Sequence, residues 1–372
     1  MKKIIFIILI SIFLLSNCNK NHNNKIPIGA ILPLTGTLSS YGKWTKDGIE
    51  LAKEEINLTR KKNNKKEIEI LYSDSRSRIS DAVSGLQKLL QNKEINVVIG
   101  ELASGFTLAM APIAERQKKI LFSPASSSPD ITNAGDYIFR NWPSDNYEGK
   151  IMAKYLINSG INNIGIIGVN NEFALGIISV FEEYFYKSGG KIKIKELVNE
   201  GQIDYSNSIQ RFKNRKIQAI YIVGYAKEVG LIIKALKEFE INTPLYSTSS
   251  AENELLIKML GDKANGLIYS APAYDPNSKD EHVSAFVEKF KQKYGYIPPI
   301  NSATGYDALM IINYAIEKVG NNAKRIKDFL YQLKDFPGVS GKTSFDKNGD
   351  VQKEVFLKRI VEKKFVILEN KK

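Results

Sequence analysis

From residue 28 onward, short apolar runs alternate with stretches of helical spacing, and the cycle occurs twice. The first unit is the clearest. Ile28 to Leu32 is long enough for one buried strand, and Pro33 and Gly36 break it. Ser39, Ser40 and Gly42 extend the loop. Trp44, Gly48, Ala52 and Ile56, with Ile49 beside them, then draw one stripe down a helix. Strand candidates follow at 67–72, 97–100 and 120–122, with helices at 79–91 and 104–116 between them. After Tyr137-Ile-Phe-Arg140 the cycle restarts: helix 145–159, strand 164–169, helix 173–188, strand 192–198, helix 205–214, strand 219–223 and helix 226–239. Such alternation predicts parallel sheets covered by helices on both faces, and its repetition predicts two similar lobes. Helices over 280–294, 302–319 and 323–334 and β-rich sequence from Thr343 to Leu368 complete the chain. Ligands of such folds sit where loops leave the carboxyl ends of the strands. Tyr41 is the large side chain placed at that rim.

The N-terminus reads as a targeting segment. Lys2 and Lys3 precede an almost unbroken apolar run from Ile4 to Leu15, which is too short to span a bilayer comfortably as a helix. Leu15-Ser-Asn-Cys18 follows, and Cys18 is the chain's one cysteine. A thiol just after an apolar run is what lipoprotein processing requires, although Asn17 stands where a smaller residue is usual. Residues 1–17 are therefore expected to be a signal peptide, Cys18 the lipidated residue and 18–25 a tether. No thiol would remain for a disulfide, so stability must come from a core that the 43% hydrophobic composition can supply. The formal charge of +13 does not point to nucleic acid, because the basic residues are dispersed. Their densest run, Arg60 to Lys66, reads as a solvated loop.

Catalytic constellations are thin. The two histidines, His22 and His282, lie in polar sequence and cannot build a metal cluster or triad with Cys18. Gly338-Val-Ser-Gly-Lys-Thr343 fails as a phosphate loop because Phe336 stands where its first glycine must be. No catalysis, metal or cofactor is expected. Binding groups are better placed. Ser104 opens a helix, which its hydroxyl can cap, and free N–H groups at that turn suit an anion. Ser123-Pro-Ala-Ser-Ser-Ser follows the next strand with hydroxyls and close backbone approach. Asp74 reads as a loop cap or a further polar contributor.

Several stretches in order resemble the leucine/isoleucine/valine-binding-protein family, the type I periplasmic solute-binding proteins of ABC importers. They are Pro33-Leu-Thr-Gly…Tyr41-Gly, Gly48-Ile-Glu-Leu-Ala-Lys-Glu-Glu-Ile-Asn, Val98-Ile-Gly…Ala111-Pro-Ile-Ala-Glu115, Ser123-Pro-Ala-Ser-Ser-Ser, Gly224-Tyr, Gly261-Asp-Lys-Ala-Asn-Gly266, Tyr306-Asp-Ala308 and Phe336-Pro-Gly-Val-Ser-Gly…Asp350. The resemblance implies two doubly wound lobes joined by a three-crossing hinge, with crossings near Asn141–Asp145, Ser270–Tyr274 and Phe336–Ser340. The lobes would be 26–142 with 274–336, and 143–273 with 337–372. It implies an extracytoplasmic protein that presents a small polar ligand to membrane permease subunits, or a sensor built on the same lobes. By resemblance, Ser104, the Ala125 backbone and the Ser127 hydroxyl match positions that hold a carboxylate and an amino group. Phe173 and Tyr225 match aromatic positions. Ser249 stands where a glutamate pairs with the ligand ammonium. Either Glu101 or Glu252 then supplies that charge, or the ligand is not an ordinary α-amino acid.

Overall fold

The computed structural model describes residues 25–368. The signal peptide over 1–17, the lipidation residue Cys18 and the tether up to residue 24 lie outside them. The first sheet is wholly parallel. It contains β1 (Lys25–Leu32), β2 (Glu67–Asp74), β3 (Val97–Gly100), β4 (Ile120–Ser123) and β5 (Ile138–Arg140), in the order β2-β1-β3-β4-β5. The connecting helices are α1 (Ser39–Lys62), α2 (Ile79–Leu89) and α3 (Ser104–Gln117). After α4 (Asp145–Asn158) the pattern repeats. β6 (Asn163–Val169), β7 (Lys191–Val198), β8 (Ala219–Val223), β9 (Leu245–Ser247) and β10 (Ile268–Pro272) are parallel in the order β7-β6-β8-β9-β10. Their helices are α5 (Glu172–Lys187), α6 (Ser206–Gln210), α7 (Ala226–Glu238) and α8 (Glu254–Leu260). Both sheets thus reverse strand order between their first and third strands, which opens a crevice there. Sequence pattern follows position: central β6 is apolar from Ile164 onward because helices cover both faces, whereas edge strand β7 alternates exposed and half-buried residues.

The chain then returns to the first sheet as α9 (Glu281–Tyr294), α10 (Ile300–Val319) and α11 (Ala323–Gln332). Helices α1 and α10 cross at backbone distance. A Cβ on Gly48 would sit 2.0 Å from the Ser302 carbonyl, and one on Gly305 would sit 2.6 Å from the Thr45 carbonyl. Finally β11 (Val355–Val361) and β12 (Lys364–Ile367) add an antiparallel edge beside β10.

Four local expectations change. Ser39, Ser40 and Gly42 belong to α1 and not to the preceding loop; Gly42 packs where a Cβ would meet the Pro33 carbonyl at 2.1 Å. The helix expected over 205–214 shrinks to Ser206–Gln210, and Asn214 turns the chain with φ at 64°. Ser270 lies inside β10, so the second passage between lobes begins after Pro272. The third passage is also later than Phe336–Ser340. Phe345 packs on Phe122 and Phe139, Val351 joins the same core, and Asp350 pairs with buried Arg140 at 2.7 Å. Burial and that ion pair hold 337–351 against the first sheet, and the chain reaches the second only at Val355.

The three passages lie side by side. The Ala273 N–H donates to the Glu354 carbonyl at 2.8 Å. Asn141 Oδ1 accepts from Lys353 Nζ at 2.8 Å, and Lys353 Nζ also donates to Ser340 Oγ at 2.8 Å.

Candidate functional site

The loops after β1, β3, β4, β6, β8 and β9 converge on one cavity enclosing about 530 Å³, its open mouth included. All seven side chains singled out from sequence line it: Tyr41, Ser104, Ala125, Ser127, Phe173, Tyr225 and Ser249. Leu38, Leu102, Ala103, Trp142, Ser250 and Asn301 line it as well, and the sequence reading missed these. Asn301 opens α10, so its arrival depends on how that helix returns to the first sheet. Trp142 had a signal, since it is one of two tryptophans and adjoins the first passage.

The first-lobe wall is a cross-linked cradle of hydroxyls. Ser104 does not cap α3, whose N-cap is Ala103 and carries no side-chain cap. Its Oγ instead accepts the N–H groups of Ser127 at 3.3 Å and Ser128 at 3.1 Å. With its lone pairs so engaged, Ser104 retains a proton to give. The amides of Ser104 and Gly105, in the first turn of α3, add donors on the same side. Ser127 has the opposite polarity. Its Oγ–H donates to Asp145 Oδ2 at 3.0 Å, which leaves lone pairs to accept with. Arg140 fixes the loop from behind, donating to the Ser127 carbonyl at 2.9 Å and the Ser128 carbonyl at 2.7 Å.

The second-lobe wall is aromatic. Phe173, in the first turn of α5, stacks on Tyr225 with ring centroids 5.3 Å apart and planes at 21°. Tyr41 crosses between the walls. Its hydroxyl accepts the Ala226 N–H at 3.2 Å and donates to the Ser250 carbonyl at 3.4 Å. Burial pushes the Tyr41 hydroxyl up to about 12, so it stays protonated and able to donate.

Neither glutamate expected to replace the missing charge at Ser249 lines the cavity. Glu101 is fully buried but faces the loop behind it, accepting from Ser75 Oγ at 2.6 Å and from the N–H groups of Leu102 at 2.7 Å and Ala103 at 2.9 Å. Burial pushes its carboxyl up to about 7, against those bonds. Glu252 is occupied by Lys358, whose Nζ lies 2.8 Å from both carboxylate oxygens. Asp74 is a loop cap that accepts from Leu34, Thr35 and Arg76 amides. His282 is exposed on α9. The acids that do adjoin the cavity are Asp145 and Glu148 of α4, both fully buried. Glu148 Oε2 accepts the Ser249 N–H at 3.3 Å and Ser270 Oγ–H at 3.1 Å.

Two doubly wound lobes with a cavity between their switch points define the type I periplasmic-binding-protein fold. The structure superimposes with a TM-score of 0.87 on a leucine-binding protein from Thermotoga maritima, which is 28% identical over 92% of this chain and 97% of that one. It superimposes with a TM-score of 0.85 on a branched-chain amino acid transporter substrate-binding protein from Streptococcus pneumoniae, solved with isoleucine, which is 26% identical over 92% of this chain and 99% of that one. A leucine-, isoleucine-, valine-, threonine- and alanine-binding protein of Pseudomonas aeruginosa is 25% identical over 88% of each chain. The model of the periplasmic binding protein family matches residues 25–364, and the chain belongs to that family.

Proposed function

We propose that this chain is the lipid-anchored, extracytoplasmic solute-binding protein of an ABC importer, taking an amino acid or a closely related small molecule into the cleft. The carrying observation is the paired polarity of the first-lobe cradle. Ser104 offers a proton and Ser127 offers lone pairs within one cavity, as a molecule bearing both a carboxylate and an ammonium requires. The stacked Phe173–Tyr225 pair suits an apolar side chain opposite. The relatives described as binding leucine or isoleucine support the same ligand class. Cys18, following the apolar run Ile4 to Leu15, supplies the acceptor for the anchor. The closing units are 26–142 with 274–351, and 143–273 with β11 and β12, moving about the three adjacent passages. The receptor binds without turnover and hands its ligand to permease subunits.

Calorimetric titration with the common amino acids, simple amides and aromatic acids tests the ligand class. A true ligand at 100 times its dissociation constant should stabilise the fold by about 2.7 kcal/mol, read as a raised melting temperature. Small-angle scattering should show compaction. Binding without compaction refutes hinge closure, and no binding by any member refutes the ligand class. Radiolabelled fatty acid should label the wild type but not Cys18→Ser; equal labelling refutes the anchor.

A further inference from the structure

Asp145 and Glu148 sit one turn apart at the start of α4, with no exposure, and neither makes a salt bridge among the described residues. Each has one carboxylate oxygen engaged and one without any partner: Asp145 Oδ1 and Glu148 Oε1. The buried Tyr221 hydroxyl, on β8 within the field of both acids, also has no partner. Burial raises the proton affinity of both carboxylates, and the Glu148 charge raises that of Asp145 further. Arg140, the cation that Asp145 feels, is already bound to Asp350. Such a pair is an expensive arrangement unless a positive group arrives.

The connections of the pair say where that group would sit. Asp145 reaches across to the first lobe and takes the proton of Ser127. Glu148 takes the Ser249 N–H in the second lobe, and the Ser249 and Trp142 side chains stand near enough to favour its charged form. Ser127, Ser249 and Trp142 all line the cavity. Ser127 therefore gives its proton backward to Asp145 and turns lone pairs toward the cavity, and Ser249 faces the same space from the opposite lobe with Glu148 directly behind it. A hydroxyl polarised by a carboxylate is a stronger acceptor than a free one.

We infer that the Asp145–Glu148 pair, acting through Ser127 and Ser249, supplies the negative charge that selects a ligand ammonium. The inference rests on the amino-acid reading above and names the acid that Ser249 itself lacks. Glu148 is then a positioning residue, and the ligand class is α-amino acids over their deaminated acids.

The test compares each common amino acid with the acid lacking its ammonium, such as leucine with 4-methylpentanoate, by calorimetry on the full folded chain. The wild type should prefer the amino acid by roughly 10- to 100-fold, the range for a hydrogen bond to a charged group. Glu148→Gln should collapse that ratio toward one by weakening the amino acid far more than 4-methylpentanoate, a pattern that general damage does not produce. Ser249→Glu in the Glu148→Gln background puts a carboxylate into the cavity and should restore the preference. If the wild type binds both members equally, or if folded Glu148→Gln keeps the full preference, the inference is overturned and the cleft reading stands. If no member binds the wild type, the amino-acid reading falls and takes this one with it.

Discussion

The two lobes share a strand order but furnish opposite chemistry. In the first, the loops after β1, β3 and β4 and the first turns of the helices they lead into present Tyr41, Ser104, Ala125 and Ser127; in the second, the corresponding segments after β6, β8 and β9 present Phe173, Tyr225 and Ser249. Topology decides which segments meet at the cavity, and residue type decides what they present there. The first lobe also holds its loops differently. Ser104 and Arg140 tie the Ser127–Ser128 backbone with four hydrogen bonds before any ligand arrives. In the second lobe Ser250 Oγ donates to the Gly224 carbonyl and Glu148 accepts the Ser249 N–H, behind a stacked pair whose face is apolar. A prebuilt polar cradle thus faces an apolar wall, an arrangement that, on the function proposed above, divides ligand orientation from side-chain choice.

The sharpest way to break this contrast is Arg140→Ala. It leaves Asp350 without its buried partner and frees the Ser127–Ser128 carbonyls, so unfolding stability should fall by about 3–5 kcal/mol in denaturant titration. A loss below 1 kcal/mol, read against the surface-pair range, would mean that the cradle stands without it. Next, Ser104→Ala and Ser127→Ala should each weaken amino-acid binding by about 1.5–3 kcal/mol. Ser104→Ala should also destabilise the unliganded protein by about 1–3 kcal/mol, because two buried N–H groups lose their acceptor. Calorimetry and melting curves separate the two effects; unchanged affinity in both variants sinks the site assignment.

Smaller changes are expected opposite. Phe173→Leu or Tyr225→Leu should reduce affinity by about 0.5–1.5 kcal/mol through the lost ring pair, and should act alike on ligands with or without an ammonium. If instead these variants discriminate by charge, the division of labour between lobes is wrong.

The smallest expected effect is on pH dependence. Burial, moderated by bonds from Ser249, Ser270 and Trp142, holds Glu148 at about 7, and burial with the nearby Glu148 raises Asp145; Tyr221 faces them from β8. Acids that bind protons more tightly folded than unfolded favour the native state below the unfolded value and lose that contribution as pH rises through the folded one. Glu148→Gln should therefore flatten the fall in unliganded melting temperature between pH 5 and pH 8, about the span of that titration. Amino-acid affinity should run the other way and weaken as the pH drops below neutrality. An unchanged melting profile in the variant would remove Glu148 as the titrating group.

The alternation of strand and helix was legible because helix-covered parallel strands read as short apolar runs, and the loops at their carboxyl ends could be placed from that alone. The seven cavity residues came from those loops together with the family resemblance. What escaped depends on the third dimension. Asn301 enters from a helix far along the chain, and Leu38 and Ser250 gain meaning only from what they face. Asp145 and Glu148 read locally as acids suited to a helix N-terminus; their complete burial is a tertiary fact. The late third passage was hidden for a similar reason: Phe345 looks like any strand phenylalanine until Phe122 and Phe139 are beside it.

Tyr41 has a consequence for size. Its ring lines the cavity, while its hydroxyl is bonded to two backbone groups of the opposite lobe. A guest too long for the space must push the ring aside, and the ring cannot move without surrendering both bonds. The same side chain is therefore a gauge and a clasp: the cleft measures its guest at the place where it fastens. A molecule of the right charge but the wrong length would be held by the serines and left unfastened, and a partner that reads only the fastened shape would pass it over.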